Sequence, residues 1–280
     1  MQAQGILYVV ATPIGNLGDI TLRALETLKI VDAIAAEDTR HTSGLLAHFG
    51  ISKKLIAVHQ HNEQQSASKL LPLLQVGQSI ALVTDAGTPA ISDPGALVVK
   101  AVRDAGIKVV PVPGASAVIA ALSASGIADG GFYFYGFLPA SAGQRRKALE
   151  SLKALPATLV FYEAPHRIVA CVEDIFDTLG ERNITFCREL TKTFETIYSC
   201  PAGRASAWLQ ADVNQQRGEF VLLVEAAPED NEGLPAQAQD VLRLLLNELP
   251  LKQAVKLATE ITGAKKNDLY ELALTLKNDH

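Results

Sequence analysis

From Gly5 to Ser125 the chain alternates short β-branched runs with longer amphipathic ones, the pattern of βαβ units around a mostly parallel sheet. Strands are predicted at 6–10, 33–36, 55–58, 79–84 and 108–112. Helical stretches at 21–29, 42–49, 63–75 and 94–105 separate them, each long enough for the right-handed crossover that parallel strands need. The loops after these strands, at 12–19, 37–40, 59–62, 84–95 and 113–116, then share one sheet edge, where ligands bind in open α/β sheets.

An alanine- and serine-rich helix at 115–125 leads into the polar, glycine-rich Ala128-Asp129-Gly130-Gly131, which marks a domain boundary. Further strands are predicted at 132–135, 158–162, 184–188, 194–199 and 220–225, with helices at 144–154, 168–179 and 204–211. The strands at 184–188 and 194–199 are too close for a helical crossover, so this second sheet should be mixed. Beyond the acidic stretch Pro228-Glu229-Asp230-Asn231-Glu232-Gly233 the pattern is helical only. Leu251, Ala254, Val255, Ala258 and Ile261 share one helix face that Gly263 can close, and Asn267 can cap a last helix. Together with 241–249 this makes three short helices, a helix-turn-helix or a plain packing tail. The expected architecture is α/β: domains at 1–127 and 128–228 and a helical module at 234–280.

The segment VTDAGTPAISDPG from Val83 delivers a strand into a carboxylate, small residues and two prolines. Asp93-Pro94 has the form of a helix N-cap with proline at the first helical position, so a helix should start there. Asp85 stands at the strand's carboxyl end, either as part of a ligand site or as a cap for its own turn.

Composition narrows the chemistry. With 280 residues, 48% of them hydrophobic, the chain can build two ordinary domain cores, and no run approaches the ~20 apolar residues of a membrane span. The start MQAQGILYVV does not resemble a secretory signal, and three cysteines without C-x-x-C spacing fit a reduced, cytoplasmic setting. A net charge of −5 leaves nucleic-acid binding to a local patch. The densest positive run, Arg145-Arg146-Lys147, is either a solvated helix face or a phosphate contact. G-x-G-x-x-G, the Walker loop and G-x-S-x-G are all absent, and His59 and His61 lack convincing metal-ligand partners. What remains are clusters mixing acid and base at strand ends: Glu37-Asp38-x-Arg40, Glu163-x-x-His166-Arg167 and Arg188-Glu189-x-x-Lys192.

The blocks LYVVATPIGNLGDIT from Leu7, AEDTR from Ala36, VTDAGTPAISDPG, PGASA from Pro113, FYEAPHR from Phe161, RELTK from Arg188 and GEFVLLVE from Gly218 occur in the order of a known family. The chain resembles, over its whole length, the small-subunit ribosomal RNA methyltransferase I group of the tetrapyrrole methylase-like superfamily. That resemblance implies two α/β domains with S-adenosylmethionine (SAM) folded into the cleft between them, in a homodimer. It also implies 2′-O-methylation of a cytidine ribose in the decoding centre of 16S rRNA, free or in the 30S subunit, and no metal or membrane.

Carried over by position, the resemblance places cofactor contacts at Pro13, Asp85, Ala86, Gly87, Ala90, Ile91, Ser116, Ala117, Tyr162, Thr191, Phe220 and Val221. Here Thr84-Asp85-Ala86-Gly87 stands where the superfamily usually has G-D-P, which alters the flank of the aspartate. Because a ribose hydroxyl is a weak acid, a base or cation should assist its deprotonation, and Glu163, Arg167, Arg188, Glu189 and Lys192 are the candidates. Glu37, Asp38 and Arg40, with Arg145, Arg146 and Lys147, are candidates for substrate positioning. The alternatives are a tetrapyrrole-precursor methylase on the same fold and a non-catalytic ribosome-binding factor.

Overall fold

The computed structural model describes residues 4–59, 63–127, 130–227, 234 and 236–278. His61, Ala128, Asp129 and the 228–233 stretch lie outside the described residues. The chain divides into two compact units, Met1–Ala227 and Pro228–His280.

The first unit holds two five-stranded sheets. In one, β1 (Ile6–Val10), β2 (Ala33–Ala36), β3 (Lys54–Ala57), β4 (Ile80–Val83) and β5 (Lys108–Val112) are all parallel, in the order β3-β2-β4-β1-β5. The sequences AIAA and IALV of β2 and β4 are buried at every position, as strands covered on both faces require. Helices α1 (Leu22–Ile30) and α2 (Thr39–His48) pack on one face, and α3 (Glu63–Gln75) and α4 (Ala96–Asp104) on the other. Neighbouring strands β1 and β4 therefore send their chains to opposite faces, which opens a crevice at their carboxyl ends. Thr12 and Gly87 bridge that crevice with reciprocal amide–carbonyl bonds of 2.9 and 3.0 Å.

The start of α4 corrects the expectation from Asp93-Pro94. The helix begins at Ala96 with Gly95 as its cap at φ 131°, and the Leu97 amide is satisfied by the Glu63 carboxylate from α3, at 2.9 Å. A distant residue supplies the cap, and Asp93 is left for the loop.

Helix α5 (Ala117–Ser125) packs Val118 and Ala121 against Val160, Cys187, Val221 and Leu223, so it joins the first half to the second sheet. That sheet comprises β6 (Gly131–Phe137), β7 (Ala157–Glu163), β8 (Asn183–Arg188), β9 (Thr196–Pro201) and β10 (Phe220–Val224), in the order β6-β7-β10-β8-β9. Only β6 and β7 are parallel, and the sheet is mixed as its short 188–196 connection demands. Central β10, FVLLV, is wholly buried. Helices α6 (Ala142–Leu152), α7 (Ile168–Leu179) and α8 (Ala202–Ala211) cover the face opposite α5.

In the second unit α9 (Ala236–Glu248), α10 (Leu251–Thr262) and α11 (Lys266–Asn278) share a core of Leu242, Val255, Leu269 and small alanines. Gly263 closes α10 in the left-handed conformation, φ 71°. Asn267 lies inside α11 rather than capping it, because helical bonding already starts with the Leu269 amide on the Lys265 carbonyl, at 3.2 Å. Among the described residues no helix is long and apolar enough to cross a membrane.

Candidate active site

The loops at the β1–β4 crevice face the second sheet across a cavity of about 350 Å³, within the size range of small-molecule sites. Ala86, Gly87, Thr88, Ile91, Ser92 and Asp93 line it from the β4 loop, Ile14 from the β1 loop, and Ser116 and Ala117 from the start of α5. The opposite wall is Phe137, Tyr162, Glu163, Cys187, Leu190, Lys192, Glu219, Phe220 and Val221.

Backbone strain concentrates at this cavity. Among the described residues the only non-glycine positions with positive φ are Ala90, Ser92, Glu189 and Thr191, two on each flanking loop. Each costs about 1–3 kcal/mol, and such residues persist where surrounding structure over-determines them. Thr191 is held by the Asn16 amide, which donates to its hydroxyl at 3.0 Å, and by its own amide on Glu195. Gly15 lies so close that a Cβ there would come within 2.5 Å of Lys192 Cγ.

Asp85 has a bracing role. Its Oδ1 accepts the Asp38 amide at 3.0 Å, while Glu37 Oε2 accepts the Thr84 hydroxyl at 2.5 Å. The two carboxylates lock the β2 and β4 loops together behind the cavity wall. Of the expected cofactor contacts, Ala86, Gly87, Ile91, Ser116, Ala117, Tyr162, Phe220 and Val221 line the cavity. Pro13, Asp85, Ala90 and Thr191 stand beside it in the chain and shape its loops.

The candidate reacting groups divide in the same way. Lys192 faces the cavity, whereas Glu163 borders it with its side chain fully buried on the other face of β7, beside Arg167 and Cys171. Arg167 lies 3.1 Å from Glu163 through Nε and donates to the Leu138 carbonyl at 2.5 Å. Arg188 donates to the carbonyls of Asn214, Arg217 and Phe194, so it secures the loops around β8 instead of facing the cavity. Lys192 bridges Glu189 at 2.9 Å and Glu219 at 2.8 Å. Burial works to lower its pKa, but the hydrogen bonds to Glu219 and Glu189 outweigh it and hold the ammonium above its ordinary range. Lys192 is thus a fixed cation and a poor proton acceptor.

Arg145 is a correction to the positive run on α6. It is buried and paired with Asp174 of α7, which the exposed Arg146 also contacts at 2.5 Å, so one carboxylate offsets part of their charge. Only Lys147 of the three is exposed without such a pairing among the described residues. Asp38 and Arg40 form an exposed pair at the β2 loop, in which the guanidinium holds the Asp38 carboxyl well below the usual carboxylate range.

Asp93 is the site residue that sequence reasoning missed. Burial, then the charges of Glu37 and Asp85, push its carboxyl up to about 6 against the hydrogen bond from Thr84. Its D-P dipeptide in a strand-end loop was the available signal, read as a helix cap. Nucleophilic cysteine chemistry has no support, since burial pushes the Cys187 thiol up to about 12 and the Cys171 thiol well above its ordinary value. Among the described residues no group of three or more His, Cys, Asp or Glu side chains is placed to hold a metal ion.

Residues 6–206 match the family model of Tetrapyrrole (Corrin/Porphyrin) Methylases, and residues 232–277 match that of the RsmI C-terminal HTH domain. The chain is 56% identical over 273 residues to ribosomal RNA small subunit methyltransferase I of Escherichia coli O157:H7, covering 97% of this chain and 96% of that protein. The chain belongs to the ribosomal RNA small subunit methyltransferase I family. The Pseudomonas aeruginosa member is 53% identical, covering 96% of this chain and 97% of its own. Among solved structures, uroporphyrin-III C-methyl transferase from Thermus thermophilus, complexed with S-adenyl homocysteine, shares the fold at a TM-score of 0.56 and 20% identity. That likeness covers 79% of this chain and 97% of the other. For this ribosomal RNA small subunit methyltransferase I family member, the cavity between the two sheets is therefore the candidate methyl-transfer site.

Proposed function

We propose that the protein transfers a methyl group from SAM to the 2′-oxygen of a cytidine ribose in small-subunit ribosomal RNA. The observation that carries this reading is identity at 56% running through both α/β halves and the C-terminal helices. A tetrapyrrole methylase reading leaves the C-terminal helices without a role, since its family model ends at residue 206.

The cavity suits such a donor. Asp93 and Glu219 line it against one cation, Lys192, which favours a positively charged ligand. Ile14, Ile91 and Val221 offer apolar surface, and Gly87, at φ 82°, lets the backbone of the β4 loop turn beside Ile14. When bound, SAM supplies an electrophilic methyl carbon on a sulfonium.

The chain's own part is positioning. The Asn16–Thr191 contact holds the β1 loop against the 190–192 turn, and the Glu37–Thr84 and Asp85–Asp38 bonds fix the β4 loop. These fixed loops align an acceptor oxygen with the methyl group, the geometry on which such transfer depends. Glu163 is kept in place by Arg167 and the Ala164 amide, and Lys192 by its two glutamates.

We read the protein as a cytoplasmic homodimer, with exposed Phe132 on edge strand β6 as apolar surface that a second copy can cover. Sedimentation of wild type and a Phe132→Ser variant tests the dimer. Transfer of tritiated SAM to 30S subunits, free rRNA and a tetrapyrrole precursor, followed by nucleoside analysis, tests the activity. Label in 2′-O-methylcytidine supports the proposal; label in a tetrapyrrole carbon alone contradicts it.

A further inference from the structure

The cavity has two unlike ends. At one, Lys192 is clamped between Glu189 and Glu219, with Leu190 and Ile14 also in the lining. At the other, the strained Ser92 meets the turn of β6, where a Cβ on Gly136 would lie 3.0 Å from Ser92 Oγ. The neighbours of these two residues, Asp93 and Phe137, both line the cavity, and both relate to Tyr162. The Phe137 ring meets Tyr162 edge-on at 5.5 Å, and the phenol is pushed up to about 12 by burial and then by the Asp93 charge.

Phe137 is 54% exposed although it lines a cavity, so its ring presents an open apolar face at the mouth. Single-stranded nucleic acids are held by such faces, through base–aromatic stacking worth about 1–3 kcal/mol per base. Asp93 differs from the other carboxylate facing the cavity: Glu219 is paired with Lys192, whereas Asp93 has no cation partner among the described residues. The titratable groups facing it are Glu37, Asp85 and Tyr162, each of which becomes negative on ionisation and none of which stabilises its anion.

From this geometry, and resting on the rRNA reading above, we infer that the acceptor nucleoside enters at the Ser92–Gly136 end, with Phe137 stacking its base and Asp93 accepting the ribose hydroxyl proton. The 2′-oxygen forms its bond to the methyl carbon as the carbon–sulfur bond breaks. That bond's electron pair neutralises the sulfonium, and the hydroxyl proton passes to the Asp93 carboxylate and then to water. The raised pKa of Asp93 suits a base working near neutral pH. The remaining cavity, toward Gly87, Ala117 and Val221, is left to the donor.

The test uses the full-length enzyme with 30S subunits and tritiated SAM between pH 5 and 9. S-adenosylhomocysteine affinity, measured by calorimetry, reports folding and the donor pocket. Asp93→Asn is expected to lower kcat by about a hundredfold or more, with inhibitor affinity within about twofold of wild type. The wild-type acidic limb near pH 6 should disappear in Asp93→Asn, and Asp93→Glu should restore part of the rate. Phe137→Ala is expected to raise KM for the subunit about tenfold, while Phe137→Trp holds it near wild type. If wild type labels no RNA, the rRNA reading fails and this assignment falls with it. If wild type is active and Asp93→Asn matches its kcat or keeps the limb, or Phe137→Ala leaves KM unchanged, the assignment alone is overturned.

Discussion

The backbone amide of Asn16 donates to the Thr191 hydroxyl at 3.0 Å, tying the first loop of the parallel sheet to the turn after β8 in the mixed sheet. Gly15, beside it, has no room for a side chain: a Cβ would lie 2.5 Å from Lys192 Cγ and 2.9 Å from Thr191 Oγ1. Gly15→Ala must therefore push the two loops apart at one end of the cavity. It is expected to weaken S-adenosylhomocysteine binding about tenfold, or about 1.4 kcal/mol, in calorimetry. An unchanged affinity would show that this contact does not shape the donor pocket.

Arg145 and Asp174 are both almost fully buried, and Asp174 takes contacts from two arginines. Breaking such a pair leaves an uncompensated buried charge, so Asp174→Ala is expected to cost about 3–5 kcal/mol in urea unfolding. Lys147→Ala, on the exposed side of the same helix, should leave stability within about 0.5 kcal/mol of wild type. Equal stabilities of the two variants would contradict the internal role given to Arg145.

Asp93 also links stability to pH. Its folded pKa of about 6 stands above the ordinary 3.8, so the native state binds the proton more tightly than the unfolded chain. This contribution is fully present below pH 3.8 and is lost as pH rises through 6. Asp93→Asn stays neutral throughout, so its Tm should exceed that of wild type by more at pH 8 than at pH 4.5. A difference that does not change with pH would contradict a raised pKa at Asp93.

Much of this was legible in the chain, for local reasons. AIAA and IALV read as buried strands because no position in them tolerates water, and the polar loops after such strands fall on one edge by topology alone. Gly263 closed α10 where the apolar face ended. The failures share a different cause, a partner far away in sequence. Asp93-Pro94 has every local mark of a helix start, yet Glu63 caps Leu97 from α3 and frees Asp93 for the cavity.

Likewise Arg145-Arg146-Lys147 counts as three free cations only until Asp174 is placed beside the first two. β9 begins at Thr196 rather than Phe194, because Arg188 and Glu195 are occupied in holding the turn that precedes it. At the site, the sequence pattern marked the loops that carry the cavity. Which of their residues face it depended on the left-handed turns at Ala90, Ser92, Glu189 and Thr191, which non-glycine side chains do not announce.

The central claim is methyl transfer to a ribose oxygen of small-subunit rRNA. It is tested most directly by incubating the full-length protein with tritiated SAM and 30S subunits, digesting the RNA to nucleosides and separating them. Label is expected in 2′-O-methylcytidine. Label in a base-methylated nucleoside, or none in RNA with SAM binding intact, would contradict the claim.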